Sequence, residues 1–274
     1  MLAAIRARLA RRSFDYQWGS LPTGAWLSDD PRFGAQVERI ISEEELAIDP
    51  EWFTGRRVLD AGCGNGRWTE GFIRLGCEVT AMDASVNALA QVKARFGDKV
   101  RTLQGDVLEA DKVLAGERFD LVWSWGVLHH TADTGRGIRA LEKLVKDDGL
   151  LYLYLYGRDT LPTRVSSWKL NVARTGLNLV PLRARKAILE RVYGKRGAHE
   201  AFDLLSTPLN RRTTVAEATG LLNAAGLPRV VRTIDHTEVF LRADHGSTSA
   251  EPYFRPPATA PYWFQQVAAA DAPA

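Results

Sequence analysis

The feature that most constrains this chain is a short apolar strand that runs directly into a glycine-rich turn. Arg57–Asp60 predict a buried strand, and Gly62, Gly64 and Gly66 follow at alternating positions. Glycine has no Cβ, so the backbone there can turn sharply and let a ligand approach closely. Apolar residues then recur at helical spacing over Trp68–Leu75. The pattern predicts a strand, a ligand-binding turn and a helix in an open α/β sheet.

Further strands follow the first at the spacing of strand–helix units. They are predicted at Glu78–Met82, Val100–Gln104, Phe119–Ser124 and Gly149–Tyr156, with a final pair at Val230–Ile234 and Glu238–Arg242. Helical patterns separate the early strands, as at Asn87–Phe96. This alternation predicts a mostly parallel sheet with helices on both faces.

A carboxylate stands at the end of each of the first three strands. Asp83 lies about twenty residues past the glycines, where such a residue can accept both ribose hydroxyls of a nucleotide. Each carboxylate also has a structural alternative. Asp60 and Asp83 are suited to capping the helices that follow them, and the dipeptide Gly105-Asp106 is common in turns.

Four of these segments together resemble the class I S-adenosylmethionine-dependent methyltransferases of small-molecule type. They read VLDAGCGNG, AMDAS, GDV and FDLVWSWGVLHHT, in that order and each at a strand end. The strong part of the resemblance runs from residue 55 to residue 156. It implies a Rossmann-like three-layer sandwich with a mostly parallel seven-stranded sheet, in which one of the last two strands is antiparallel.

The resemblance also implies a site for S-adenosylmethionine at the strand ends, formed by Asp60, Gly62, Gly64, Asp83, Asp106, Val107 and Ser124. Asp60 and the glycine turn would hold the methionine part of the cofactor. Asp83 would bind the ribose diol, and Asp106 would face the adenine amino group beside a backbone contact from Val107. Ser124 would offer its carbonyl to the cofactor ammonium.

The principal alternative is an enzyme that binds a nicotinamide dinucleotide, since that class also has a glycine-rich turn after its first strand. Its fingerprint is G-x-G-x-x-G, whereas this turn reads D-A-G-C-G-N-G. The turn also follows a lead of about 50 residues, and no second redox motif appears. The sequence therefore favours the methyltransferase.

Two adjacent histidines are candidate catalytic residues. His129 and His130 directly follow the fourth strand, at the predicted mouth of the site. An imidazole titrates near neutral pH and can act as a general base for an alcohol, phenol or carbon acid. The alternative is structural: one ring bonds the backbone at a helix start and the other is packed. No Cys, His and carboxylate set has the spacing of a metal site.

We divide the chain into three regions: an N-terminal helical or lid segment (1–54), a methyltransferase domain (55–245) and a C-terminal extension (246–274). The first contains a predicted helical stretch at Gly34–Ile48, and its Tyr16 and Trp18 are candidate substrate-binding aromatics. Similar methyltransferases close the cofactor site with such a segment, but the rings are equally suited to sealing the core. The extension contains aromatic residues, so part of it is expected to pack on the domain or on a partner.

Within the domain, residues 157–212 are too long for an ordinary connection and carry helical patterns. We expect a helical cap insertion after the fifth strand. Because it leaves the carboxyl edge of the sheet, it is expected to cover the site and select the substrate, with His199 as a third candidate substrate-binding residue.

Composition supports one globular unit and limits its partners. The net charge of +3 is too small to indicate nucleic-acid binding. The two cysteines, Cys63 and Cys77, do not suggest a disulfide, and no segment has the ~18 apolar residues of a membrane span. We expect a cytoplasmic enzyme without a metal, acting on a small organic acceptor at oxygen, then nitrogen or carbon. Alternatives are a methyltransferase of RNA or protein and a catalytically silent relative; the oligomeric state stays open.

Overall fold

The computed structural model describes residues 2–20, 34, 36–158 and 164–246. Its strands are β1 (Arg57–Ala61), β2 (Glu78–Asp83), β3 (Val100–Gln104), β4 (Phe119–Trp125), β5 (Val145–Leu155), β6 (Arg229–Arg232) and β7 (Val239–Asp244). They form one seven-stranded sheet in the order β3-β2-β1-β4-β5-β7-β6. β7 is antiparallel to both of its neighbours, and the other pairs are parallel. The predicted mostly parallel Rossmann-like sheet is confirmed.

The helices lie on both faces of the sheet and at its carboxyl edge. They are α1 (Leu2–Ser20), α2 (Val37–Arg39), α3 (Arg67–Arg74), α4 (Val86–Phe96), α5 (Ala110–Val113), α6 (Thr134–Glu142), α7 (Arg164–Asn178), α8 (Leu182–Ser206) and α9 (Val215–Ala224). The N-terminus of α9 has a capping box formed by Thr214 and Glu217. Thr214 Oγ1 accepts from the Glu217 N–H, and the Glu217 carboxylate accepts from the Thr214 N–H.

Two apolar layers cover the sheet, because alternate residues of each central strand point to opposite faces. On one face Trp123 stacks on Tyr152 with ring centroids 4.3 Å apart, and both rings are buried. On the other face Val122 and Leu151 pack in a second apolar cluster. Burial on both faces explains why these strands read as continuous apolar runs.

The strand β5 begins at Val145, four residues before the predicted start at Gly149. The added residues Lys146–Asp148 are polar, so they do not carry the apolar pattern of a buried strand. They lie where the pairing of β4 with β5 is irregular, between Phe119 and Leu121. The Lys146 ammonium donates to the Asp120 carboxylate at 2.9 Å, and this ion pair attaches the polar start of β5 to β4.

The helical stretch predicted at Gly34–Ile48 is α2 followed by a π-helix over Ile40–Glu45. Ile41 and Phe53 from this part of the chain are fully buried in the same cluster as Trp123. Residues 37–53 therefore belong to the core of the domain. Among the described residues before β1, those of α1 lie apart from this core, across the carboxyl edge of the sheet.

The insertion over residues 157–212 leaves the sheet and returns to it at nearly the same place. Gly157 forms a β-bridge with Thr213, and the Arg158 N–H donates to the Thr213 carbonyl at 2.9 Å, so the two ends of the insertion are adjacent. Its helices are α7 and α8. The backbone of α8 leaves the helical conformation at Gly194, where φ is +73°, between the two helical segments that the sequence predicts.

Within the described ranges, no helix combines the length and the apolarity needed to cross a membrane. The aromatic-rich extension after Gly246 lies outside the described residues.

Candidate active site

A cavity of about 500 Å³ opens at the carboxyl ends of β1, β2 and β4. Its floor is the glycine turn after β1 and the residues that follow β2, β3 and β4. Its roof is formed by α1, through residues such as Phe14 and Trp18, and by α8, through His199 and Asp203. The insertion therefore covers the site, at the edge where open α/β sheets bind ligands.

The turn after β1 requires glycine at two positions. Gly62 and Gly64 have φ of +89° and +54°, a region that other residues rarely adopt. A Cβ at Gly62 would overlap the Val127 side chain, and one at Gly64 would lie 2.6 Å from the Trp18 ring. The Gly62 N–H donates to the Met82 carbonyl at 2.7 Å, which joins the turn to β2.

Asp83 ends β2 and faces the cavity beside this turn. Its Oδ2 accepts from the Gly64 N–H at 2.9 Å, and its Oδ1 accepts from the Ser85 N–H at 2.8 Å. Burial raises the pKa of this carboxyl above its usual value, against the effect of those hydrogen bonds. A carboxylate has about four lone-pair sites, so both oxygens can still accept from ligand hydroxyls.

Asp60 does not line the cavity but lies beneath the turn, 2% exposed. The Thr69 hydroxyl donates to its Oδ2 at 2.6 Å. Burial raises the pKa of Asp60 to about 7, although the Thr69 hydrogen bond acts in the opposite direction. Asp60 therefore supports the turn from below.

Asp106 and Val107 line the cavity after β3. Asp106 Oδ1 accepts from the Leu108 N–H at 3.0 Å, and its Oδ2 pairs with Arg11 of α1 at 2.8 Å. Asp106 therefore stands in a turn, the structural alternative considered from the sequence, and also lines the cavity. Ser124 is fully buried near the end of β4 and does not line the cavity, while the next residue, Trp125, does.

The structure separates the two adjacent histidines. His129 is 1% exposed and does not line the cavity: its ring stacks on Tyr156 at 3.8 Å, and its Nδ1 accepts from the Tyr156 N–H at 3.3 Å. Burial, with the nearby charges of His130 and Arg212, lowers its pKa well below the usual 6.5. His130 lines the cavity, and its Nδ1 lies 2.8 Å from the Leu209 carbonyl.

The substrate-binding candidates of α1 and α8 also separate. Trp18 and His199 both line the cavity, with ring centroids 5.1 Å apart. Tyr16 does not line it; its ring stacks on Phe202 of α8 at 6.0 Å. One ring of the N-terminal segment therefore covers the cavity, and another packs α1 against the insertion.

The wall under the insertion contains residues that the sequence analysis did not identify. Trp125 stacks on Tyr154 at 4.2 Å, and the Arg67 guanidinium lies 4.5 Å from the Trp125 ring centroid. Glu238, just before β7, accepts a hydrogen bond from the Gly157 N–H. Burial raises the pKa of Glu238 to about 7, against the effects of that hydrogen bond and of the Arg212 charge.

These residues fit a nucleoside that carries a charged amino-acid tail. Asp83 and the backbone of the glycine turn offer acceptors and donors to the polar parts, and Met82 and Val107 provide apolar surface. The described residues contain no group of three or more His, Cys, Asp or Glu arranged to hold a metal ion.

The sheet order and the glycine turn at its carboxyl edge define a class I methyltransferase fold. Residues 59–153 match the family model of the methyltransferase domain. Residues 59–153 therefore carry a methyltransferase domain, and the fold around them is that of the class I S-adenosylmethionine-dependent methyltransferases.

Curated relatives match the same region. The chain is 31% identical over 107 residues to a ubiquinone biosynthesis O-methyltransferase of Bartonella bacilliformis, which covers 39% of this chain and 43% of the relative. It is 34% identical over 117 residues to the enzyme of that name from Cereibacter sphaeroides, with coverages of 42% and 47%. The chain thus aligns with less than half the length of these relatives.

Among solved structures, the magnesium protoporphyrin IX methyltransferase of Synechocystis, crystallised with bound SAH, has a TM-score of 0.50 and 18% identity. The similarity covers 89% of this chain and 99% of that one. At this identity the similarity concerns the fold, and it extends well beyond the segment matched by the family model.

Proposed function

We propose that this protein transfers the methyl group of S-adenosylmethionine to a small organic acceptor, with oxygen as the favoured acceptor atom. The observation that carries the proposal is the single cavity that joins the glycine turn and Asp83 at one end to the aromatic wall under the insertion at the other. Such a cavity accommodates a nucleoside cofactor and a second, smaller molecule in contact with each other.

The cofactor would be held by Asp83, Asp106, Val107 and the glycine turn, with Asp60 and Ser124 supporting the strand ends. Bound S-adenosylmethionine supplies an activated methyl group on a sulfonium. The chain's own task is to align an acceptor with that group and to exclude water, and alignment supplies a large part of the rate enhancement in such reactions. The roof formed by α1 and α8 serves both purposes.

Three observations support a small acceptor over RNA or protein. The cavity lies beneath two helices, its far wall is lined by aromatic rings of Trp125, Tyr154 and Tyr156, and the net charge is only +3. The curated relatives named as O-methyltransferases support oxygen as the acceptor atom. We infer no nucleic-acid partner.

The first test is cofactor binding by isothermal titration with S-adenosylhomocysteine, where we expect one site per chain. Asp83→Asn should weaken binding at least about tenfold, because one amide –NH₂ must then face a backbone N–H and one acceptor is lost. Asp98→Asn, at an exposed carboxylate paired with Lys93, is the matched control and should bind as the wild type does. Saturable binding of a nicotinamide dinucleotide without binding of S-adenosylhomocysteine would overturn the proposal.

The second test is transfer of a labelled methyl group from S-adenosylmethionine into a small-molecule extract, compared with gel-resolved labelling of RNA and protein. Label in the small-molecule fraction is the expected result. Label only in a macromolecular band would assign the activity to the alternative class, and cofactor binding without any transfer would identify a silent relative.

A further inference from the structure

Three residues from separate parts of the chain meet at the wall of the cavity. They are His130 after β4, Tyr156 after β5 and Asp203 on α8. The Tyr156 hydroxyl donates to Asp203 Oδ2 at 2.7 Å, and Asp203 Oδ1 lies 3.5 Å from His130 Nε2. The cluster therefore links the sheet to the insertion within the proposed site.

The position of the His130 proton follows from its neighbour. A carbonyl oxygen only accepts hydrogen bonds, so the 2.8 Å contact with the Leu209 carbonyl requires the proton on Nδ1. In the neutral ring Nε2 then carries a lone pair. This buried nitrogen makes no hydrogen bond to any described residue.

When the His130 ring is neutral, its Nε2 and the Asp203 Oδ1 are therefore both hydrogen-bond acceptors, and they face each other at 3.5 Å. Such a pair is satisfied by a donor that approaches Nε2 from the cavity or by a proton on Nε2 that faces the carboxylate. A hydroxyl group on a bound acceptor provides both in sequence, first as a hydrogen-bond donor and then as a proton source. The paired carboxylate would stabilise the imidazolium that results.

The charges around the cluster agree with this arrangement. Burial would raise the pKa of Asp203, but the facing His130, the Tyr156 hydroxyl and His199 hold it below its usual value, so the carboxyl is ionised. The titratable groups around the pair are Asp203, His199 and Arg174 of the insertion, Tyr156, His129 and Arg212. Phe14 of α1 packs edge-on to the His130 ring at 5.0 Å and covers it.

We propose that His130 is the general base of the methyl transfer, that Asp203 is its positioning residue, and that the acceptor is therefore a molecule with a hydroxyl group at the methylated atom. This assignment rests on the proposed methyltransferase function. The hydroxyl oxygen forms a bond to the methyl carbon while the carbon–sulfur bond breaks and its electron pair stays on sulfur. The hydroxyl proton passes to His130 Nε2 and later to solvent.

The test uses the full chain and the labelled transfer into the small-molecule extract, with cofactor affinity measured for every variant. His130→Asn keeps an amide donor near the position of Nδ1 for the Leu209 carbonyl but removes Nε2. We expect its rate to fall about 10²–10⁴-fold while S-adenosylhomocysteine binds as in the wild type. His245→Gln, at a histidine remote from the cavity, is the matched control.

Two further readouts separate catalysis from a structural role. In Asp203→Asn the rate should fall at least about tenfold with cofactor affinity kept, because the neutral amide no longer balances the positive charge that develops on the His130 ring. In His130→Ala, added imidazole should restore part of the rate by occupying the vacated space. A merely structural histidine gives neither effect.

The results distinguish a failure of the methyltransferase function from a failure of the general-base assignment. A wild-type protein that transfers no label overturns the methyltransferase function and this assignment with it. Transfer by the wild type together with a His130→Asn rate within about threefold of it, against the usual contribution of a general base, overturns the assignment alone. A loss of cofactor affinity that parallels the loss of rate, without imidazole rescue, also overturns the assignment and makes the cluster structural.

Discussion

At the scale of single residues, the glycine turn gives a direct test of why glycine is needed. Gly62→Ala should unfold at lower urea concentration and bind S-adenosylhomocysteine at least about tenfold more weakly, because strain at positive φ adds to the overlap with Val127. Gly116→Ala is the matched control: φ there is +82° and nothing lies within 4 Å of the added Cβ. It should lose stability only. Equal cofactor affinity in the two variants would contradict the role of the turn.

Glu238 gives a prediction for the pH dependence of stability. Its pKa is raised by burial from 4.5 to about 7, so between these values the folded protein holds a proton that the unfolded chain has released. This contribution is complete below pH 4.5 and is lost as the pH rises through 7. Glutamine at this position cannot ionise, so Glu238→Gln does not lose this stability as the pH rises. Its free energy of unfolding at pH 8 should exceed that of the wild type by up to about 3 kcal/mol.

Urea unfolding of Glu238→Gln and wild type at pH 4.5 and pH 8 measures this difference, which should be near zero at the lower pH. Asp60, with a pKa of about 7, has a contribution of the same sign, but it is common to both proteins and cancels. Glu51→Gln, at an exposed glutamate, should match the wild type at both pH values. If the two proteins differ by the same free energy of unfolding at both pH values, the pKa of Glu238 is not raised in the folded state.

The residue scale also shows where sequence reasoning reaches its limit. Asp83 and the glycine turn could be predicted because they are close along the chain and follow strand ends. His129 and His130 are adjacent in one motif, so the sequence could not tell that one faces Tyr156 and the other the cavity. The sequence does carry a local signal for Asp203: it lies four residues after the candidate His199, so both are on the same helical face.

At the scale of elements, the π-helix Ile40–Glu45 connects the core to the acceptor wall. Its last residue, Glu45, is fully buried; it accepts from Trp125 Nε1 at 3.2 Å and from the Tyr152 hydroxyl. The apolar spacing predicted a helix here but not its wider turn, since the apolar periodicity does not distinguish the two at this length. The guanidinium of Arg242 donates to the Leu46 carbonyl just beyond the π-helix.

Glu45→Leu tests this element. It leaves two buried donors, on Trp125 and Tyr152, without their acceptor, and should lower the free energy of unfolding by about 2–4 kcal/mol. Glu43→Leu, at a partly exposed position two residues earlier, should change it far less. Urea unfolding measures both. A small effect at Glu45 would mean that the two rings find other acceptors.

The helix α1 is the second element that matters for function, because it is held on both sides of the cavity. Asp15 accepts from the Ser85 hydroxyl at 2.7 Å at the start of α4, and Gln17 donates to the His199 carbonyl of α8 at 3.2 Å. The ring of Trp18 lies over the glycine turn between these anchors. The geometry makes α1 a roof shared by the cofactor end and the insertion.

Trp18→Ala should therefore weaken S-adenosylhomocysteine binding about five- to tenfold and speed hydrogen exchange of the α1 amides, since this ring packs α1 on the glycine turn and on His199. Arg8→Ala, at an exposed position of the same helix, is the control. Unchanged exchange in the α1 amides of the Trp18 variant would show that the polar anchors alone fix the helix.

At the scale of the whole molecule, the sheet and the site differ in how they are encoded. The central strands have apolar runs and the outer strands follow at the spacing of strand–helix units, so the fold could be predicted strand by strand. The acceptor wall draws on Trp125, Tyr156, Asp203, Arg212 and Glu238, which packing brings together from distant parts of the chain. No local pattern marks such a set, and for this reason the sequence indicated only single residues of the acceptor end, such as His130 and His199.

The insertion is the largest addition to the sheet domain, and it can be removed because its two ends are adjacent. The bridge between Gly157 and Thr213 holds those ends together, so a short glycine–serine linker can replace residues 159–210 at a modest entropic cost. We expect transfer of label to fall to background, since Asp203 and the roof over the acceptor are lost. We also expect cofactor affinity to fall more than in Trp18→Ala, because α1 loses its contacts with His199 and Ser206. Circular dichroism and titration with S-adenosylhomocysteine would establish that the shortened protein keeps its sheet; turnover at the wild-type rate in that protein would remove the insertion from the reaction.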